Sequence, residues 1–333
     1  MRRLVYRTFG VILVFTIIFS STGCVVTSNL KAFSPENPEY VNYNNYFNCS
    51  NYHGGLMDYR NGILAYRSDA YVDDEVVVGN VQADADTQYL KGVNAPFQLT
   101  DQGVLFKEGQ ALYHRDREGN EVLISQYADR YAAWKNYVIY IVISSGKETI
   151  NTLYLFDLQT QETIQLKENI NKFNLYDNCV YAFAISEDMV YRIPLDTLIP
   201  QAIGKVAMNQ SFEVQFVDGY MVRNYDDQSF VLIDLNTFQT RVLPFNEDPN
   251  REASITFLCE GDIIYYSCMA SIRDGSLAYP DFDHPQNGTW KLNIHTGEKE
   301  CISKQWFFDL YCFDKTHLYG VNLLGSICEI EID

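Results

Sequence analysis

The chain has 333 residues, 43 acidic and 25 basic, for a formal charge of −18. A surface of that sign repels the phosphates of nucleic acid and of anionic lipid, which removes DNA-binding and polybasic membrane-binding readings. A hydrophobic share of 47% with 14% aromatics excludes wholesale disorder.

Residues 1–24 read MRRLVYRTFGVILVFTIIFSSTGC, a basic start, an apolar stretch from Phe9 to Phe19, then small residues and a cysteine. The apolar stretch is shorter than the roughly 20 residues that cross a bilayer core about 30 Å thick. The layout is that of a secretory signal over residues 1–23. Ser21-Thr22-Gly23-Cys24 resembles a bacterial lipobox, with Ser21 where leucine is commonest. That resemblance implies a diacylglyceryl group on Cys24; the alternative is an ordinary signal peptide with a cysteine nearby. Two acyl chains, at about 0.8 kcal/mol per buried CH₂, would hold an acidic domain at a membrane. Residues 24–42 are largely polar, carry Pro35 and Pro38, and have no periodicity, which predicts a tether. The remainder, 43–333, is expected to be one domain.

From residue 61 onward a short polar turn recurs ahead of an aromatic or β-branched run. The turns are Asn61-Gly62, Asp101-Gln102-Gly103, Lys135-Asn136, Asp177-Asn178, Asp218-Gly219, Glu260-Gly261-Asp262 and Lys315-Thr316. Between residues 62, 102, 136, 178, 219, 261 and 316 the steps are 40, 34, 42, 41, 42 and 55. Near-constant spacing of this size marks a repeat architecture. Asx-Gly and related pairs accept positive φ and turn hairpins. Tyr137 to Ile143 is apolar at every position, which predicts a strand buried on both faces.

A second phrase follows several hairpins: LYLFDLQTQETIQL (153–166), FVLIDLNTFQTRVL (230–243), TWKLNIHTGEKECI (289–302), and a looser MVYRIPLDTLIPQAI (189–203). Each reads as a strand, a Thr-bearing turn and a more polar outer strand. Thr160, Thr237 and Thr296, with the carboxylates of Asp157 and Asp234, are expected to satisfy turn amides. The unit is four strands, as in a propeller blade. The fold expected is therefore all-β, a β-propeller of seven four-stranded blades, with six as the alternative count. The last unit stops early at Asp333, so the segment Tyr43 to Cys49 is expected to supply its outermost strand and close the ring.

The chain also resembles a group of propeller-like lipoproteins of Gram-positive bacteria that are likened to the YWTD propeller of the low-density-lipoprotein receptor family. The residues that carry this are Asn51-Tyr52-His53-Gly54-Gly55-Leu56, Asn61-Gly62-Ile63-Leu64-Ala65-Tyr66 and Ile263-Ile264-Tyr265-Tyr266. The resemblance implies a propeller held at the outer face of the cell membrane, and no activity. The YWTD tetrapeptide itself is absent, so receptor-type ligands are not implied.

Chemistry is sparse. His53, His114, His284, His295 and His317 are dispersed, with no HExxH, HxH or CxxC spacing, no GxSxG elbow and no phosphate-cradling glycine loop. No catalytic residue, cofactor or resident metal is therefore expected. Seven cysteines follow Cys24 and lie mostly in predicted strands, where they read as small buried hydrophobes. A sharper alternative is a Cys49–Cys328 bridge that staples the supplied strand. The longest break in the repeat is Ser271 to Gly288, an inserted loop in which Tyr279, Asp281, Asp283 and His284 form a candidate ligand cluster. Ser68 to Tyr89 is a second, acidic insertion. The recurring Tyr66, Tyr140, Tyr181, Tyr265 and Tyr319 fit sheet packing better than a sugar-stacking surface. The expectation is a monomeric, non-catalytic binder of a protein, peptide or envelope glycan. An extracytoplasmic glycan-active enzyme with carboxylates at the channel is the alternative.

Overall fold

Tight turns set the registers. In Asp177-Asn178 and Asp218-Gly219 both central residues have positive φ (46° and 55°, 39° and 79°), the conformation that matches the twist of paired strands. At Gly103 the demand is steric, because a Cβ there would overlap the carbonyl oxygen of Arg115 on the neighbouring strand.

The computed structural model describes residues 57–60, 63–67, 76–78, 88–93, 96–145, 149–206, 214–226, 229–245, 252–274, 277–307, 309–313, 316–321 and 327–332. All of them belong to one unit, Phe33–Asp333. The signal, Cys24, the tether and Tyr43 to Cys49 lie outside the described residues.

Among the described residues, seven antiparallel sheets follow one another along the chain. The first is β1 (Met57–Arg60), β2 (Ile63–Arg67) and β3 (Val76–Val78). The second is β4 (Phe97–Leu99), β5 (Gly103–Glu108), β6 (Ala111–Asp116) and β7 (Glu121–Ser125). The third is β8 (Arg130–Trp134), β9 (Tyr137–Ser145), β10 (Thr149–Asp157) and β11 (Thr163–Glu168). The fourth is β12 (Lys172–Tyr176), β13 (Cys179–Ala184), β14 (Met189–Pro194) and β15 (Gln201–Lys205). The fifth is β16 (Val214–Val217), β17 (Tyr220–Asp226), β18 (Ser229–Asp234) and β19 (Thr240–Pro244). The sixth is β20 (Glu252–Glu260), β21 (Ile263–Asp274), β22 (Leu277–Pro280), β23 (Gly288–Asn293) and β24 (Lys299–Ser303). The seventh is β25 (Asp309–Phe313), β26 (His317–Val321) and β27 (Ile327–Glu331).

Sheets two to five are the four-stranded meanders that the repeat predicts. Three sheets depart from it. The first has three strands among the described residues, and β3 lies inside the stretch read from sequence as an acidic insertion; a run of only three valines is too brief to register as a strand. Tyr89, Leu90 and Val93 are buried in a cluster with Ala65, Phe97 and Phe106, between the first and second sheets. The seventh sheet has three strands among the described residues. The sixth has five, because Ser271 to Gly288 is not an open loop. β21 runs on to Asp274 and pairs with β22, from Ser271↔Pro280 to Asp274↔Leu277.

Apolar packing runs between consecutive sheets. In β9, Ile139 and Ile141 join a cluster with Phe173, Leu175, Val180 and Ile193 of the fourth sheet. Val138 and Tyr140, on the opposite face, join one with Leu105 and Leu112 of the second. Successive side chains point to opposite faces of a strand, so a strand packed on both sides must be apolar throughout. The expectation for this run holds as far as Ile141; Ile143, at the strand's end, is 44% exposed. Met57, Tyr59 and Leu64 of the first sheet pack with Leu310, Leu318, Tyr319 and Ile330 of the seventh. Tyr140, Tyr181 and Tyr319 are core residues, while Tyr66 and Tyr265 are half-buried.

The Thr-bearing turns behave as the phrase predicts. Asp234 Oδ1 accepts the amides of Asn236 at 2.8 Å and Thr237 at 2.7 Å, and Thr237 Oγ1 accepts that of Gln239 at 3.3 Å. Asp157 with Thr160, and Asn293 with Thr296, repeat the arrangement. These amides hold the Asp234 carboxyl below the usual carboxylate range.

Candidate functional site

The first strand of each sheet leaves one edge of main-chain N–H and C=O groups without a strand partner within its own sheet, and such groups must be satisfied when buried. Here side chains of the preceding sheet reach them. Asp58 Oδ2 accepts from Leu99 N–H at 2.7 Å, and Gln98 Oε1 accepts from Ala133 N–H at 2.9 Å. Asn174 Nδ2 donates to the Val214 carbonyl at 2.6 Å, and Gln215 Nε2 donates to that of Phe257. Thr256 Oγ1 accepts from Leu310 N–H at 3.0 Å. Asp58, Gln98, Asn174 and Gln215 each stand three residues before the turn of their sheet, Thr256 stands two residues further back on the same strand face, and all five side chains are buried. In β8 the equivalent residue is Ala132. The third and fourth sheets are tied instead by Trp134 Nε1, which donates to Asn178 Oδ1 at 3.2 Å.

These latches escaped sequence reasoning. The usable signal was one buried polar residue inside five of the first strands (MDYR, FQL, KFNLY, VQFV, ITF), three residues before the turn in the first four. Removing Asp58 tests their weight. Asp58→Ala strands a buried amide and is expected to cost about 1.5–3 kcal/mol. Asp58→Asn keeps an acceptor and should cost less, as read from urea-unfolding midpoints.

Charged and polar groups concentrate where the first two sheets meet. Arg60 Nε donates to Asp101 Oδ1 at 2.7 Å. Thr100 Oγ1 accepts Gln102 N–H at 3.2 Å and shares a hydrogen bond of 3.2 Å with His114 Nε2. Burial pushes the His114 pKa down to about 4, partly offset by Asp116, so the imidazole is neutral at pH 7. A hydroxyl beside a neutral imidazole is the arrangement of an activated nucleophile. Thr100 and His114 are 3% and 4% exposed, however, so a substrate does not reach them and the pair holds the turn.

The cluster named from sequence lies at the foot of the β21–β22 hairpin. Tyr279 sits in β22 opposite Ile272. Asp281 is half-buried and its N–H donates to the Ala270 carbonyl at 2.9 Å; Asp283 is exposed. His284 is half-buried, and its Nδ1 accepts from Gln286 N–H at 3.3 Å. Two of these four residues are thus engaged in shaping the loop. Among the described residues no group of three or more His, Cys, Asp or Glu could hold a metal ion. The residue that organises the loop is Asn287, which sequence reading passed over. Its Oδ1 accepts Ala270 N–H at 2.8 Å and its Nδ2 donates to the Asp281 carbonyl at 2.5 Å. Phe282, at the exposed turn, is 53% exposed.

Cys179, Cys259 and Cys268 are buried, in keeping with their reading as small hydrophobes, and burial pushes the Cys268 thiol up to about 12. Cys49, the partner suggested for Cys328, is outside the described residues. No helix among the described residues is long and apolar enough to cross a membrane.

No family profile and no curated protein matches the chain. Among solved structures it is similar to the computationally designed Ika8 protein, at 14% identity and TM-score 0.48, over 84% of this chain and 98% of that one. It is similar to the N-terminal domain of Nup159, at 13% identity and TM-score 0.48, over 90% and 93% of the two chains. A third similar structure is the β-propeller domain of the Trilobed protease from Pyrococcus furiosus, at 8% identity and TM-score 0.38, over 69% and 91%.

Proposed function

We propose that this is an extracytoplasmic lipoprotein, anchored through Cys24, whose seven sheets are the blades of a β-propeller that binds a protein, peptide or envelope-glycan partner without catalysing a reaction. Closure of the ring is supported by β1 packing against β25 and by the apolar cluster shared between the first and seventh sheets. In this reading Tyr43 to Cys49, which lie outside the described residues, supply the strand beyond β27.

One observation carries the binding reading. The polar side chains inside the sheets hold sheet to sheet, and the largest departure from the repeat is a hairpin that runs past its own sheet, with the exposed Phe282 at its foot. An enzyme would need convergent carboxylates open to substrate. Asp58 is instead 2% exposed against Leu99, and Asp101 pairs with Arg60.

Replacing residues 275–286 with Asn-Gly in the full chain should leave thermal stability within a few degrees and abolish capture of purified envelope proteins or cell-wall glycan. Unchanged capture would move binding elsewhere on the ring. Cys24→Ser should release the protein from the membrane fraction and end incorporation of a labelled fatty acid.

A further inference from the structure

The face that the second sheet turns to the third is partly polar. Gln98, Leu105, His114 and Val122 stand opposite one another on β4, β5, β6 and β7, so they share one face. Leu105 packs there with Tyr131, Ala133, Val138 and Tyr140 of the third sheet. Two of the four residues in this row, Gln98 and His114, are thus polar groups buried at an apolar junction, at 0% and 4% exposure. On its other side the third sheet meets the fourth through Ile139, Ile141, Phe173, Leu175 and Ile193. We propose that the junction between the second and third sheets is a seam that opens locally in acid, with His114 as its trigger.

The first strand of the second sheet is weakly held. β4 is three residues long, and its tie to β8 is the bond from Ala133 N–H to Gln98 Oε1. Tyr131 Oη, donating to the Pro96 carbonyl at 3.0 Å, and Gln102 Nε2, donating to Asn136 Oδ1 at 2.6 Å, flank it. Gln98 Nε2 is buried without a hydrogen-bond partner, a cost that opening to water would remove.

A proton on His114 finds no buried counter-charge among the described residues. Asp116, on the same strand, favours the charged ring but is exposed enough to bond Asn120 in the turn, and burial of the imidazole outweighs it. Asp101, in the β4–β5 turn, pairs with Arg60; Glu121, beside Val122 on β7, pairs with Arg115. Asp129 pairs with Arg130 in the connection to β8. The third sheet presents the phenols of Tyr131, Tyr140 and Tyr154. Burial pushes the first two above the usual tyrosine range, so they stay neutral. Lys107, two positions along β5 from Leu105, and Lys135, in the β8–β9 turn, only add positive charge. In an open junction water solvates the charged ring, so acid favours opening.

Hydrogen exchange at single amides of the full chain in detergent, over a series of low urea concentrations, tests this. Corrected for the intrinsic effect of pH, Ala133 N–H should exchange about tenfold or more faster at pH 5 than at pH 7. It should outpace Leu310 N–H, which the Thr256 hydroxyl holds between the sixth and seventh sheets, and should depend weakly on urea. In His114→Gln and His114→Met, which do not titrate, the acceleration should vanish. Exchange of Ala133 in step with Leu310, at the urea dependence of global unfolding, would overturn the seam. So would an Ala133 rate that ignores pH in the parent, or an acceleration that survives in the variants. The parent's own rates decide the matter even where neither variant folds.

Discussion

Phe230→Ala should remove about 3–5 kcal/mol of stability, the range for deleting a large buried aromatic. Phe230 is fully buried in β18, and its ring lies 4.8 Å from that of Phe245, 5.1 Å from Phe257 and 5.7 Å from Tyr266. These rings come from the fifth and sixth sheets, so the cavity would open at their junction and could not close by a shift within one sheet. Against the roughly 5–15 kcal/mol that holds a typical domain, the loss is a large fraction. The urea midpoint should fall with little change in slope. Phe230→Leu should cost markedly less, and Tyr127→Ala, at a side chain 62% exposed, should stay within about 0.5 kcal/mol of the parent. Equal losses for Phe230→Ala and Tyr127→Ala would refute the packing described between these sheets.

Acid should weaken the protein through His114. Its folded pKa is about 4, against 6.5 for an ordinary histidine. Between those values the unfolded chain binds a proton that the folded chain excludes, so stability rises with pH across that window and is lost as pH falls through it. At 1.36 kcal/mol per pH unit the contribution approaches about 3 kcal/mol on going from pH 7 to 4. Other carboxylates titrate over the same range, so the measurement is a difference. His114→Gln keeps a hydrogen-bonding partner for Thr100 but does not titrate. The gap between parent and variant in urea unfolding should narrow by that amount between pH 7 and 4. Parallel curves would remove His114 from the acid response.

The hairpins were legible because two signals coincide in them, a turn pair suited to positive φ and an apolar strand on each side. Asp177-Asn178 and Asp218-Gly219 took the conformation their residue types favour. The Thr-bearing turns were legible for a similar reason, since Asp157, Asp234 and Thr237 act on amides two or three positions away. Long-range roles were not. Asp58, Gln98 and Asn174 each look like ordinary polar members of a strand, and only the neighbouring sheet, about forty residues further on, reveals what they satisfy. The stretch after Ser271 misled in another way. Asp274, Gly275, Pro280 and Pro285 have the composition of a loop, whereas Ile272, Leu277 and Tyr279 sit in paired strands. The pairing of Ser271–Asp274 with Leu277–Pro280 outweighed composition.

The latches bear on how the gene could be altered. Each one begins in one unit of the chain and ends in the next, so excising a single unit would leave an amide or carbonyl stranded in both survivors beside the cut. A connection between neighbouring strands can lengthen without breaking a latch, as the hairpin after Ser271 does between β21 and β23, while the number of units resists change. Shortened versions of this protein should collapse as a whole instead of persisting as smaller stacks of sheets.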